Sequence, residues 1–193
     1  MKLTRRITFV LAAALAVAVA AQVATAGWIH GKAWVAQHLI ASAWAEAAAG
    51  GGVPRRPWPG ADLRPIARLT VPGRPVDLFV LDSASPRALA FGPAHVDGTG
   101  APGSSGNSVI VAHRDTHFSF LRDLRLGDEL DVEALGGART RYVVRDVSIV
   151  DKHASRLLDP ADQAQLTLIT CWPFDAVAPG TPLRYVVIAD RMS

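Results

Sequence analysis

The chain has 193 residues, half of them apolar and 19% charged, with a formal net charge of +3. This composition excludes a disordered or acidic-tail protein, and 16 Gly and 13 Pro without a period exclude a collagen-like chain. The single Cys excludes an internal disulfide and a four-Cys zinc cage, and the scattered Arg residues argue against a nucleic-acid partner.

Lys2, Arg5 and Arg6 precede an uncharged run from Ile7 to Ala26. As a helix this run would be roughly 30 Å long, enough to cross a bilayer with its basic end in the cytoplasm. Ala24-Thr25-Ala26 would suit a signal-peptide cleavage site. The length of the run favours an uncleaved signal anchor over residues 1–27. Residues 28–49 are Ala-rich, with Trp28, Trp34, Leu39 and Trp44 among them, and read as a helical stalk. Gly50-Gly51-Gly52-Val53-Pro54 and Pro57-Trp58-Pro59-Gly60 break that helix, so 28–65 is read as stalk and linker and 66–193 as the folded domain.

The domain is mostly β by pattern. Strands are expected at Ile66–Val71, Val76–Leu81, Asn107–Ala112, Asp128–Val132, Thr140–Val150, Gln165–Thr170 and Leu183–Ala189. Charges alternate through Arg139-Thr140-Arg141-Tyr142-Val143-Val144-Arg145, as in a strand with one wet face. A turn or two of helix is expected at Phe118–Leu124. Seven or eight short strands imply a barrel or sandwich. The Gly98–Gly106 loop lacks the lysine of a phosphate-binding loop.

Cys171 ends the apolar strand Leu166–Thr170, and Pro173 must stop the ladder just beyond it. Taken alone it is a buried small hydrophobe or a reactive thiol at a strand rim. An ordinary thiol is only slightly ionised at neutral pH, so a cysteine enzyme needs a proton partner and a cation. His113 ends the apolar strand from Ser108 to Ala112, also at a rim, and Arg184 lies in the last strand among apolar neighbours. A guanidinium there either points to solvent or donates to a substrate carbonyl or oxyanion.

Thr167-Leu168-Ile169-Thr170-Cys171, His113 after its strand and Leu183-Arg184 together resemble the sortases, membrane-anchored cysteine transpeptidases of bacteria. The wording from Gly106 to Phe118, Cys171-Trp172-Pro173-Phe174-Asp175, Pro182-Leu183-Arg184-Tyr185 and Pro57-Trp58-Pro59 looks most like the Gram-negative, marine-type (class GN) branch. The resemblance implies an eight-stranded β-barrel behind an N-terminal membrane helix. Cys171 would be the nucleophile that forms a thioacyl enzyme on an L-P-x-T-G-like sorting signal. His113 would be the general acid and base. Arg184 would hold the substrate and steady the tetrahedral intermediate. Thr170 would line the oxyanion side. Groove walls map to 151–162 and 172–181, with Leu157, Leu158 and Trp172 as substrate contacts. Leu157 and Leu158 would equally suit a cap on the barrel core.

The implied partners are a protein with a C-terminal sorting signal, an amine acceptor and the inner membrane. The catalytic domain would lie on the periplasmic side of a single-pass anchor. No metal or other cofactor is expected, since Asp151 and Asp159 are the only carboxylates between Val150 and Pro160. Two rivals remain. His113-x-Asp115-x-His117 would share one face of an extended chain and could serve a metal-dependent hydrolase. A tethered, non-catalytic binding β-domain is the other.

Overall fold

The computed structural model describes residues 22, 34–176 and 180–192, so the proposed anchor over 1–27 lies outside the described residues except at position 22. Among the described residues no helix is long and apolar enough to cross a membrane. The larger compact unit runs from Leu39 to Ser193.

Eight strands form a closed barrel in the order β1-β2-β3-β4-β7-β8-β6-β5. They are β1 (Pro65–Val71), β2 (Val76–Leu81), β3 (Ala94–His95), β4 (Asn107–Val111), β5 (Glu129–Ala134), β6 (Arg139–Asp151), β7 (Gln165–Trp172) and β8 (Leu183–Arg191). Pairing of β1 with β5 closes the barrel and leaves no long free edge. Most pairs are antiparallel. β4 and β7 run parallel, Asn107 opposite Gln165 through Val111 opposite Ile169, and so need the long crossover through β5 and β6.

The expected strands are present. Sequence pattern missed β3, whose two residues are too few to show a period. The helical turn expected at Phe118–Leu124 is a 3-10 turn at Ser119–Asp123, and a second one at Ser155–Leu158 went unforeseen.

Alternation builds the core. Ala67, Leu69 and Val71 of β1, Leu130 and Val132 of β5, Tyr142 and Val144 of β6, and Leu166 and Leu168 of β7 point inward. Phe118, Leu121 and Leu124 close one end of the barrel. On β6 the outward arginines pair with neighbours, Arg141 with Asp131 at 2.9 Å and Arg145 with Asp190 at 2.7 Å. These pairs are exposed and favour solubility and register more than stability.

Two helices pack outside the strands. Helix α1 covers residues 34–49. Its Ile40 packs with Leu63, Leu81, Ala88 and Ala94, and its Trp44 and Ala47 pack with Leu135 and Phe79. The second half of the stalk helix is therefore part of the compact unit. Helix α2 (Pro86–Leu89) starts where Ser85 accepts from the Ala88 N–H and Pro86 presets the first turn.

Candidate active site

The alternation of β7 decides where each candidate side chain points. Leu166 and Leu168 belong to the interior core, whereas Ile169 belongs to a separate cluster with Val109 and Val186. Val111, Val150, Leu157 and Ile188 pack against that second cluster. It covers the outer face of the β4–β7–β8 part of the wall. Cys171 is two residues past Ile169 and shares its face.

Arg184 is the register partner of Cys171 across the β7–β8 pair. Directly opposed antiparallel residues hold their Cα atoms about 4.5–5.5 Å apart with side chains on one face. On the other side of β7, Val111 is opposite Ile169, and the Ala112 N–H still donates to the Ile169 carbonyl at 3.3 Å. Continuing that register puts His113 level with Cys171, one strand spacing of about 4.8 Å away. Cys171 and Arg184 are thus cross-strand neighbours on the outer face, next to the apolar cluster of Val109, Ile169 and Val186, and His113 follows the end of the neighbouring strand β4.

Accessibility fits chemistry at this place. Cys171 is half-buried, His113 exposed and Arg184 half-buried. One guanidinium nitrogen of Arg184, Nη1, donates to the carbonyls of Thr181 at 2.7 Å and Leu183 at 2.9 Å. Those bonds fix the guanidinium at the strand start and leave its other nitrogens for a substrate oxygen.

Thr170 and Trp172 stand on the face of β7 opposite Cys171. The Thr170 side chain faces inward, is 2% exposed, and donates to the Ala112 carbonyl at 2.7 Å. It ties the ends of β4 and β7 together just behind His113 and Cys171. Trp172 also lies on the face opposite the thiol. It stacks on Tyr185 with centroids 5.6 Å apart, and Phe174 meets Tyr185 edge-on at 5.1 Å. With Arg122 over the Phe174 ring at 4.9 Å, these rings line a concavity of about 700 Å³ at the barrel end. The bond between Trp172 and Pro173 is cis.

Leu157 packs on the outer cluster, whereas Leu158 is 45% exposed. The 3-10 turn that carries them is pinned by Asn107. Its amide donates to the Leu157 carbonyl at 2.9 Å and the Asp159 carbonyl at 3.1 Å, and its carbonyl accepts from Thr167 at 2.7 Å. Leu157 therefore packs on the outer cluster and does not cap the interior core.

The metal reading of His113, Asp115 and His117 fails on backbone geometry. It required an extended chain, but residues 114–118 form a turn in which the Phe118 N–H donates to the His113 carbonyl at 3.0 Å. Among the described residues no three His, Cys, Asp or Glu side chains come together as a metal site. His117 instead lines a second concavity with Arg74, Val76 and Phe120. Burial, and then the nearby His113, push its pKa below the ordinary value.

Sequence reasoning did not single out Arg114, Thr181 or Asn107. Asn107 and Arg114 act on side chains or carbonyls 50 or more residues away in the chain, as with Asn107 to Leu157 and Arg114 to Thr181. A charged residue directly after a candidate His was the only available hint.

A closed eight-stranded barrel with a thiol and a guanidinium opposed across β7 and β8, and an imidazole just past the end of the adjacent β4, marks out a candidate cysteine enzyme. The sortase-domain profile matches residues 69–192, and the chain belongs to the sortase family. Sortase D of Bacillus subtilis (strain 168) is 29% identical over 126 residues, which span 65% of this chain and 63% of that relative. The match thus covers less than two thirds of the relative's length. Among solved structures, sortase C-1 from Actinomyces oris is 29% identical with a TM-score of 0.59, covering 67% of this chain and 75% of that one. Sortase A from Corynebacterium diphtheriae is 27% identical with a TM-score of 0.61, covering 69% and 63%.

Proposed function

We propose that the protein is a cysteine transpeptidase that cuts an L-P-x-T-G-like sorting signal and passes the protein to an amine. The observation that carries this reading is the opposition of Cys171 and Arg184 across β7 and β8, with His113 just past the end of β4, the strand on the other side of β7. The apolar surface of Val111 and Leu157 near these groups suits the apolar Leu-Pro part of such a signal.

In this reading the Cys171 thiolate attacks the scissile carbonyl carbon, forming a carbon–sulfur bond while the carbonyl electrons move to oxygen. The free donors of Arg184 face that oxyanion. The intermediate collapses, the carbon–nitrogen bond breaks, and His113 gives a proton to the leaving amine. The thioacyl enzyme remains. An incoming amine then loses a proton to His113, attacks the thioester and releases the thiolate. The proton that His113 takes from the incoming amine replaces the one it gave to the leaving amine, so the cycle closes.

The wording around His113 and Cys171, with Pro57-Trp58-Pro59 ahead of β1, supports assignment to the Gram-negative, marine-type branch. The apolar run from Ile7 to Ala26 supports an inner-membrane tether with the barrel on the periplasmic side.

The test is incubation with sorting-signal peptides and a primary amine. The reading predicts a ligated product and release of the C-terminal fragment, both abolished in Cys171→Ala. Unchanged peptides across a broad signal library, with the barrel folded, would refute it.

A further inference from the structure

Arg114 follows His113 directly, yet its side chain is 8% exposed. A buried guanidinium is costly unless its donors are used. Its Nη2 donates to the Ala176 carbonyl at 2.5 Å and its Nη1 to the Thr181 hydroxyl at 3.3 Å. These two acceptors flank the β7–β8 connection, one on the Cys171 side and one on the Arg184 side. The backbone carbonyl of the same Thr181 accepts from Arg184 Nη1 at 2.7 Å. Thr181 therefore joins two arginines, its hydroxyl held by Arg114 and its carbonyl holding Arg184.

We propose that Arg114 is a positioning residue, which fixes Thr181 and through it the guanidinium of Arg184 beside Cys171. The inference rests on the transpeptidase reading and adds a residue to that site. The geometry explains why a long cation is buried here. The connection after Cys171 starts at a proline and must return to β8 with Arg184 opposite the thiol. Backbone pairing sets the Cα of Arg184 and the neighbouring Leu183 carbonyl that accepts from its Nη1, and the Thr181 carbonyl supplies the second, shorter anchor that directs the guanidinium. Arg114 is anchored on the segment that carries His113, so one side chain references the acid–base group to the oxyanion donor. A shorter side chain at position 114 would not span to both Ala176 and Thr181.

The experiment is a double-mutant cycle on the rate at which a signal peptide acylates Cys171, read by intact mass under single-turnover conditions. The variants are Arg114→Gln, Arg184→Ala and the pair, with thermal midpoints alongside. Arg114→Gln is expected to slow acylation about tenfold to a hundredfold, the usual consequence of misplacing a catalytic group by an ångström or less. In the Arg184→Ala background it should slow acylation little further. Thr181→Val, which removes the hydroxyl and keeps the carbonyl, should give a smaller fall with an unchanged midpoint.

The proposal is overturned if Arg114→Gln acylates at the wild-type rate, or if its effect is the same with and without Arg184. If Arg114→Gln does not fold, a wild-type rate in Thr181→Val overturns it instead. Failure of the wild-type enzyme to acylate would defeat the transpeptidase reading itself and this inference with it.

Discussion

The bond from Thr170 to the Ala112 carbonyl offers the sharpest test of how the barrel holds its site. Thr170→Val keeps the shape of the side chain and removes only the hydroxyl. That hydroxyl is 2% exposed and donates over 2.7 Å to a backbone carbonyl at the end of β4. The variant leaves a buried acceptor without this donor, at a cost of about 2 kcal/mol. In a unit of this size, Leu39 to Ser193, that cost lowers the thermal midpoint by roughly 4–8 °C. Rate should fall too, because Ala112 precedes His113 and the tie keeps the imidazole level with Cys171. A loss of about tenfold in acylation, measured well below the new midpoint, is expected from such loosening. The assays are thermal denaturation and single-turnover acylation on the same samples. A midpoint within about a degree of wild type would refute the claim that this bond secures the junction. A lowered midpoint with an undiminished rate would show that His113 needs no such tie.

Other outcomes follow from the same coordinates. Cys171→Ala should fold with a nearly unchanged midpoint, since the thiol is half-buried at a rim, and should form no acyl enzyme; a loss of several kcal/mol would mark a core residue instead. Leu157→Ala should raise the KM for signal peptide while leaving the midpoint close to wild type, because Leu157 lies on the outer cluster and outside the interior core. His117 has a pKa lowered by burial and by His113, so the folded chain binds fewer protons there than the unfolded chain. Its contribution to stability is full above the unfolded pKa of about 6.5 and is lost as pH falls through the lower folded value. His117→Gln should therefore flatten the decline in thermal midpoint between roughly pH 7 and 5.

Much of the barrel is readable from sequence because most of its strands carry turn residues at both ends and a consistent period. β6 shows this best: Arg139, Arg141 and Arg145 alternate with Thr140, Tyr142 and Val144, and the structure puts the first set outside and the second inside. The face of Thr170 was harder. β7 runs Leu166-Thr167-Leu168-Ile169-Thr170 with apolar residues on both sides, because its outer face is itself covered. A strand buried on both faces does not announce which side the next residue takes. The roles given to Thr170 and Trp172 came from the family resemblance, and only the structure shows that both share the inward parity of Leu166 and Leu168. Cys171 and Arg184 could be named from local wording, but their opposition needed the β7–β8 register. The roles of Asn107 and Arg114 were hidden for a simpler reason. Both act on carbonyls or hydroxyls of segments distant in the chain, and a backbone carbonyl leaves no mark in sequence.

The central claim is that His113, Cys171 and Arg184 surround one peptide bond on the outer face of the wall. A crystal structure with a signal-peptide mimic held on Cys171 through a disulfide would test it most directly. The account predicts the apolar end of the peptide against Val111 and Leu157 on the outer face. It also predicts the carbonyl oxygen nearest the sulfur within hydrogen-bonding reach of Arg184, with His113 on the leaving-group side. A peptide lying instead among Trp172, Phe174 and Tyr185, with Arg184 turned away from it, would contradict the account.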